Sequence, residues 1–181
     1  AAQAVEVRPE SERHALAHVF QISNDPYRGK LALFRVHQGE ITASSALFIG
    51  DGRKPFRPTH LLRLQGRNTM ETPKAVPGDL CAVSRVDELY RDAVLHDSHD
   101  EDHFHLAPPD YPRPVFGLAL LARKPADEHK LSEALARLTD EDPCLEVSYD
   151  TRGRQTVVRG LGEQHLKIVL DQLSTRWNLE L

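Results

Sequence analysis

Cysteine is scarce in this chain of 181 residues: Cys81 and Cys144 stand far apart, and neither belongs to a C-x-x-C pair. Zinc-finger and thioredoxin-type chemistry is thereby excluded, which leaves two ordinary reduced thiols. No apolar run approaches the roughly 20 residues needed to span a bilayer. No basic segment precedes a short apolar stretch, as a secretory leader requires, so a soluble cytoplasmic protein with no membrane partner is expected. The phosphate loop Gly-x-x-x-x-Gly-Lys-Ser/Thr is missing too, and with it the glycine-lined cradle of N–H groups and the lysine that reaches the outer phosphates. Gly50-Asp51-Gly52-Arg53-Lys54 has glycines and a lysine at the wrong spacing, with Pro55 where a hydroxyl should hold magnesium. It reads as a hairpin turn. Asp150-Thr151-Arg152-Gly153 reads as a turn as well.

What is present describes a folded, water-soluble chain: 40% hydrophobic and 28% charged residues, with a formal net charge of -4. The net charge argues against a dedicated nucleic-acid-binding domain, but the distribution is uneven. Between Gly52 and Lys74 stand Arg53, Lys54, Arg57, Arg63, Arg67 and Lys74 against the single acid Glu71, whereas Asp97 to Asp102 is acidic. Arg53, Lys54, Arg57, Arg63 and Arg67 alternate with Leu61, Leu62 and Leu64, as on a half-buried hairpin whose outer face meets a phosphate backbone. These five are the candidate RNA contacts.

The first dozen residues are polar and without period, so residues 1–14 are expected to be a linker. From Ala15 short apolar segments (Ala15–Ile22, Leu31–Val36, Ala46–Ile49, Leu61–Leu64, Leu80–Val83) alternate with turn formers such as Asn24-Asp25-Pro26, Gly39 and Pro77-Gly78-Asp79. Five or six short strands about ten residues apart predict an all-β barrel over residues 15–96, and no helical period appears before residue 110. A polar, proline-rich stretch over 97–113 is expected to be a second linker. Beyond it, Val115–Ala122 reads as a strand, and Pro125 opens a helix carrying Leu131, Ala134, Leu135 and Leu138 on one face until Asp142-Pro143 stops it. Leu145, Val147 and Tyr149 form a hairpin with Gln155–Val158, and Leu166, Val169, Leu170, Leu173 and Trp177 line a second helix ending at Asn178. The order β-α-β-β-α over 114–181 predicts an α+β ferredoxin-like domain lacking its last strand, which Leu179 and Leu181 begin. The absence of an initial Met and this open end lead to the expectation that both ends are cuts.

Histidines 96, 99, 103 and 105, interleaved with Asp97, Asp100 and Asp102, offer imidazole and carboxylate ligands. The spacing of His96, His99, His103 and His105 fits no ligand motif and lies in a linker without support, so no metal site is assigned and these four stand as the candidates. The carboxylates Asp140-Glu141-Asp142 lie at a helix end, and no Ser or Cys can be given a base. No catalytic residue is assigned.

Four segments carry a family resemblance. Asp25-Pro26-Tyr27-Arg28-Gly29-Lys30-Leu31-Ala32-Leu33-Phe34-Arg35-Val36-His37-Gln38-Gly39 resembles the signature opening domain two of elongation factor G and its relatives. Pro77-Gly78-Asp79-Leu80-Cys81-Ala82-Val83 is similar to a segment late in that barrel. Lys130–Leu138 with Glu141-Asp142-Pro143 resembles the first helix of the family's third domain, and Gly160-Leu161-Gly162-Glu163-Gln164-His165-Leu166-Lys167-Ile168-Val169 its second. Asp25, Pro26, Gly29, Arg35, Gly39, Gly78, Asp79, Gly160, Gly162, Glu163 and His165 are the family-motif positions. Their glycines suit turns that need positive φ, Glu163 suits a helix dipole, and His165 suits a satisfied, half-buried histidine.

The resemblance implies a translational GTPase of the elongation factor G type, whose GTP and magnesium belong to a domain outside these residues. It implies, as partners, the ribosome through rRNA and small-subunit protein, together with the factor's own GTPase domain. Tyr90–Leu95 departs from the family's Thr-Gly-Asp-Thr-Leu, and Gln164 and Lys167 replace leucine and glutamate, which points to a divergent paralogue. The alternatives are a stand-alone interaction module and a metal-binding protein built on the histidine-rich linker.

Overall fold

A computed structural model describes residues 7–66, 68–102 and 104–181, with the side chain of Glu101 left aside. It divides into two compact units, one up to Pro108 and one from Pro109. Among the described residues the first unit contains nine strands: β1 (Leu16–Asp25), β2 (Gly29–Gln38), β3 (Ile41–Thr42), β4 (Phe48–Ile49), β5 (Leu61–Gln65), β6 (Asn68–Glu71), β7 (Lys74–Ala75), β8 (Leu80–Ser84) and β9 (Val94–His96). That exceeds the five or six expected, because two-residue strands and the polar β6 show no alternation to read. Seven of them form one sheet in the order β4-β9-β1-β2-β8-β5-β6, and β3 pairs with β7. The result is an antiparallel β-barrel.

Period-two alternation places Ala17, Val19, Ala32, Phe34, Val36, Leu61, Cys81 and Val83 inside, in a core that also includes Ile41, Leu47, Leu89 and Leu95. Burial of each large aliphatic or aromatic side chain contributes roughly 1.5–3 kcal/mol. Leu31, Leu62 and Ala82 form a second, smaller cluster with Leu33 and Leu64; alternation from the inward Ala32, Leu61 and Val83 puts it on the outer face of β2, β8 and β5.

Parts of both polar flanks are hydrogen-bonded to the barrel. Gly39 N–H donates to the Glu10 carbonyl, and Gln38 Nε2 to that of His14. Asp97 accepts from the Ala15 N–H at 2.9 Å, and a short 3-10 turn runs over His99–Glu101. The carboxylate partners in these segments stabilise structure that hydrophobic periodicity does not report.

In the second unit the elements are β10 (Phe116–Leu120), a 3-10 turn (Pro125–Asp127), α1 (Glu128–Glu141), β11 (Glu146–Asp150), β12 (Gln155–Gly160) and α2 (Glu163–Trp177). The antiparallel sheet order is β10-β12-β11, as a β-α-β-β-α chain of ferredoxin-like topology requires. Leu131, Ala134, Leu135 and Leu138 of α1 meet Leu166, Val169 and Leu173 of α2 and Val158 in one core. Pro143 prevents α1 from continuing, and Asn178 ends α2 at φ 50°. Leu179 is buried in the core and the Arg123 N–H donates to the Glu180 carbonyl at 2.9 Å, so residues 179–180 run past the end of β10. No strand is assigned there.

Two glycines separate backbone strain from crowding. At Gly39, φ is +68° and an added Cβ would lie 2.5 Å from the Ala15 Cα and N and 2.7 Å from the Arg13 carbonyl oxygen. At Gly29, φ is +73° with open space around it. Gly29→Ala is therefore expected to cost about 1 kcal/mol of strain alone, and Gly39→Ala about 3 kcal/mol or more, since backbone must also move. Urea unfolding of both variants measures the difference, and equal losses would contradict the close-approach argument.

Candidate nucleic-acid interface

The basic stretch lies on two different pieces of the barrel. Leu47 and Phe56 pair as an isolated antiparallel bridge, and Gly52 N–H donates to the Ile49 carbonyl at 2.9 Å with Gly50 at φ 49°. Gly50–Lys54 is therefore a tight turn, its glycines serving the backbone. Phe56 packs against the barrel core and anchors the loop, leaving Arg53, Lys54 and Arg57 exposed. None of the three has an ion-pair partner among the described residues.

Arg63 behaves differently. It sits on β5 and its Nη2 donates to Asp79 Oδ2 at 3.0 Å; the same oxygen accepts from the Val76 N–H. A guanidinium so engaged is less available to phosphate. Lys74 is held by Glu40 at 3.1 Å. Arg67 lies outside the described residues. Among the described residues, three of the candidate cations thus share one loop.

Two of the histidine candidates, His96 and His99, share the Asp102 carboxylate, at 3.6 and 3.1 Å. His96 is fully buried, with its Nδ1 2.8 Å from the Ser98 carbonyl oxygen and its Nε2 2.7 Å from that of Gly50, so both ring nitrogens face main chain. His99 meets Asp102 at 3.1 Å, and His105 meets Asp51 at 3.3 Å. His14, placed by sequence in a linker, meets Asp97 at 3.4 Å. His103 lies outside the described residues. Among the described residues no group of three or more His, Cys, Asp or Glu side chains is arranged to hold a metal ion. The interleaving of His with Asp, which suggested ligands, is used for pairwise clamps.

The family-motif residues build turns and junctions. Asp25 Oδ1 accepts from the N–H groups of Tyr27 and Arg28, each at 2.8 Å, closing the β1–β2 hairpin around Pro26 into Gly29. Those two bonds, Arg28's first, hold the Asp25 carboxyl below its ordinary value. Gly78 at φ 95° lets Asp79 turn back on Val76 and Arg63. Arg35 is exposed on β2, and after burial its charge is the next cause that lowers the His37 imidazole.

His165 joins the two helices of the second unit. Its Nδ1 accepts from the Leu161 N–H at 3.1 Å, so the proton resides on Nε2, which meets Asp142 Oδ2 at 2.7 Å just past α1. At Gly160 an added Cβ would lie 2.8 Å from His165 Nδ1, so the glycine admits the ring. Gly162 precedes α2, and Glu163 in its first turn pairs with Lys167 at 2.8 Å. At the far end of α2, Arg176 donates to both oxygens of Glu141, the last residue of α1, at 2.9 and 3.1 Å and lies 4.5 Å from the Trp177 ring. That carboxylate raises the Arg176 guanidinium further above its ordinary value. The sequence pattern contained no signal for this clamp.

Comparison with known proteins agrees with this architecture. Residues 14–93 match the family model "Elongation factor G domain 2", and residues 111–181 match "Elongation Factor G, domain III". Elongation factor G 2 of Syntrophomonas wolfei is 34% identical over 93% of this chain and 24% of its own length. Elongation factor G of Amoebophilus asiaticus is 31% identical over 96% of this chain and 24% of its own. The chain thus spans about a quarter of the length of these relatives. A crystal structure from Thermus thermophilus aligns with a TM-score of 0.77 and 28% identity over 93% of this chain and 25% of that one.

Two outcomes follow from the turn and the junction. Because the folded pKa of Asp25 lies below its unfolded value, its contribution is present above about pH 4 and is lost as pH falls through the folded value. Asp25→Ala is expected to lower the urea midpoint at pH 6 and to narrow its gap to the parent protein by pH 3; a gap that widens in acid would contradict the assignment. His165→Ala removes two hydrogen bonds and is expected to cost about 1–3 kcal/mol in urea unfolding of the second unit.

Proposed function

Since the chain belongs to the elongation factor G family, of which it carries domain 2 and domain III, we propose that it is the ribosome-facing and relay part of a translational GTPase. The observation that carries the RNA contact is the loop closed by Leu47 and Phe56, where Arg53, Lys54 and Arg57 stand exposed without carboxylate partners among the described residues. Cations that no protein acid neutralises are free to replace counterions on a phosphate backbone. Contacts of this kind fix register and orientation without reading base sequence, as suits a factor that must sit on the ribosome at every codon.

The other partners follow from the family: small-subunit rRNA and protein, and the factor's own GTPase domain. GTP and magnesium are assigned to that domain. The residues of this chain do not fit them, since the Gly-x-x-x-x-Gly-Lys-Ser/Thr cradle is absent and Gly50–Lys54 is a turn. Work on the ribosome places the protein in the cytoplasm, and among the described residues no helix is long and apolar enough to cross a membrane. Tyr90–Leu95, with Asp92 at φ 66° where the family resemblance has Thr-Gly-Asp-Thr-Leu, supports a divergent paralogue.

The test is binding of the full chain to purified small ribosomal subunits across a salt series. Changing Arg53, Lys54 and Arg57 together to glutamate is expected to reduce the slope of log K against log salt by about 2 to 3 and to weaken binding at every salt concentration. An unchanged slope would remove this loop from the interface, and no measurable binding by the parent chain would remove the ribosome reading itself.

A further inference from the structure

A cleft of about 180 Å³ opens on the barrel, lined by Arg28, His60, Leu62, Thr69, Glu71, Ser84 and Arg85. It shares no residue with the Arg53–Arg57 loop. Its chemistry is uneven. Glu71 Oε1 lies 2.8 Å from His60 Nδ1, so the acid of the cleft already has a partner. No carboxylate lies within ion-pair distance of Arg28 or Arg85 among the described residues; the Arg28 charge acts at longer range on Asp25, whose Oδ1 accepts from the Tyr27 and Arg28 N–H groups. Ser84 is only 3% exposed, and its hydroxyl has no hydrogen-bond partner among the described residues. The Ser84 hydroxyl thus lines the same cleft as the two arginines and can donate to an acceptor placed there.

The backbone supplies an independent argument. Arg85 follows β8 at φ 61°, in the left-handed region that disfavours side chains with a Cβ and that glycine occupies without cost. Among the described residues, two of the other three non-glycine residues in that region are Asp92 and Asn178, types that tolerate it. The third, Arg154, lies in the exposed β11–β12 turn. Arg85 instead adjoins a buried serine, with its N–H held by the Lys30 carbonyl at 3.0 Å. Strain kept at a position where glycine would relieve it marks a side chain retained for what it does.

We propose that this cleft binds a phosphate ester, with the phosphate between Arg28 and Arg85 and hydrogen-bonded by Ser84, and with the sugar side of the ligand against Leu62, Thr69 and Glu71. Guanidinium groups match phosphate oxygens in pairs. Leu62, 3% exposed, offers an apolar floor, and Glu71 can accept from a ribose hydroxyl. The source is either a free nucleotide or the backbone of an RNA strand. The site does not depend on the ribosomal reading, because inorganic phosphate alone probes it.

The experiment follows the Ser84 and Arg85 amide resonances of the full, isotope-labelled 181-residue chain. They are titrated with inorganic phosphate, then adenosine 5′-monophosphate, then a short single-stranded RNA. Saturable shifts with phosphate are expected, weakened at least about tenfold in Arg28→Gln and in Arg85→Gly. Arg85→Gly should also melt a few degrees above the parent, since it loses strain together with the ligand. This pairing of higher stability with lost binding is what a purely structural arginine would not give. Tighter binding of the nucleotide than of the RNA identifies a monoester ligand, and the reverse order identifies an RNA backbone. Resonances that ignore all three probes, shifts undiminished in Arg85→Gly, or a response to an acidic peptide alone would overturn the proposal.

Discussion

The barrel depends on one long hairpin. β1 and β2 pair from Leu16–Gln38 to Asp25–Gly29, with register shifts between Leu16 and Ala17 and between Val19 and Gln21. They occupy the middle of the seven-stranded sheet, with β9 added outside β1 and β8 outside β2. Because side chains alternate across a strand, a slip of one residue at the Asp25 turn would carry Val19, Phe34 and Val36 from the core to the surface. The carboxylate that accepts from Tyr27 and Arg28 therefore sets a register on which every other strand is built. This gives a physical reason for Asp25, Pro26 and Gly29 to stand together, independent of any contact with a partner. In the second unit the C-terminal end of α1 is tied to both ends of α2, through Asp142 to His165 near its start and through Glu141 to Arg176 near its finish.

Carboxylates carry more of the remaining architecture than hydrophobic patterning suggests. Asp97 satisfies the first N–H of the barrel, Asp79 joins a turn to β5, and Asp142 bonds the Cys144 N–H at 2.8 Å on one oxygen and His165 on the other. These groups are partly exposed, so each pair taken alone is worth little. Their effect is positional, since each ends one element or begins the next, where unpaired backbone groups would otherwise be left. The histidines from 96 to 105 belong to the same scheme. Their ring nitrogens meet main-chain oxygens and aspartates, which ties the end of the barrel to the turn that follows it.

Where hydrophobic period and punctuation agreed, the sequence was readable. The α1 face of Leu131, Ala134, Leu135 and Leu138, the α2 stop at Asn178 and the hairpin around Asp150–Gly153 all have the positions that spacing predicts. The two-residue strands β3, β4 and β7 were not readable, because pairing with distant partners, and not local preference, makes them strands. Exposed and engaged arginines could not be told apart either. Arg53 and Arg63 look alike in sequence, and only the fold brings Asp79 to one of them. Arg85 was missed for the same reason: nothing local signals a left-handed backbone beside a buried serine.

A chain folds well when local preference, patterning and tertiary contacts agree, and positions where they disagree need a cause. At Gly39 the left-handed backbone is occupied by the residue that tolerates it, in a site too tight for any other. Local and tertiary demands coincide there, and no function need be invoked. Arg85 reverses the case: the backbone favours glycine, the space admits a long side chain, and among the described residues no carboxylate pairs with the guanidinium. Arg53, Lys54 and Arg57 are also unpaired, yet they lie on an exposed loop where charge costs nothing and the backbone strain falls on Gly50. The two basic sites therefore differ in kind. The loop is an inexpensive surface field that any polyanion can meet, whereas the cleft holds a cation at a standing conformational cost.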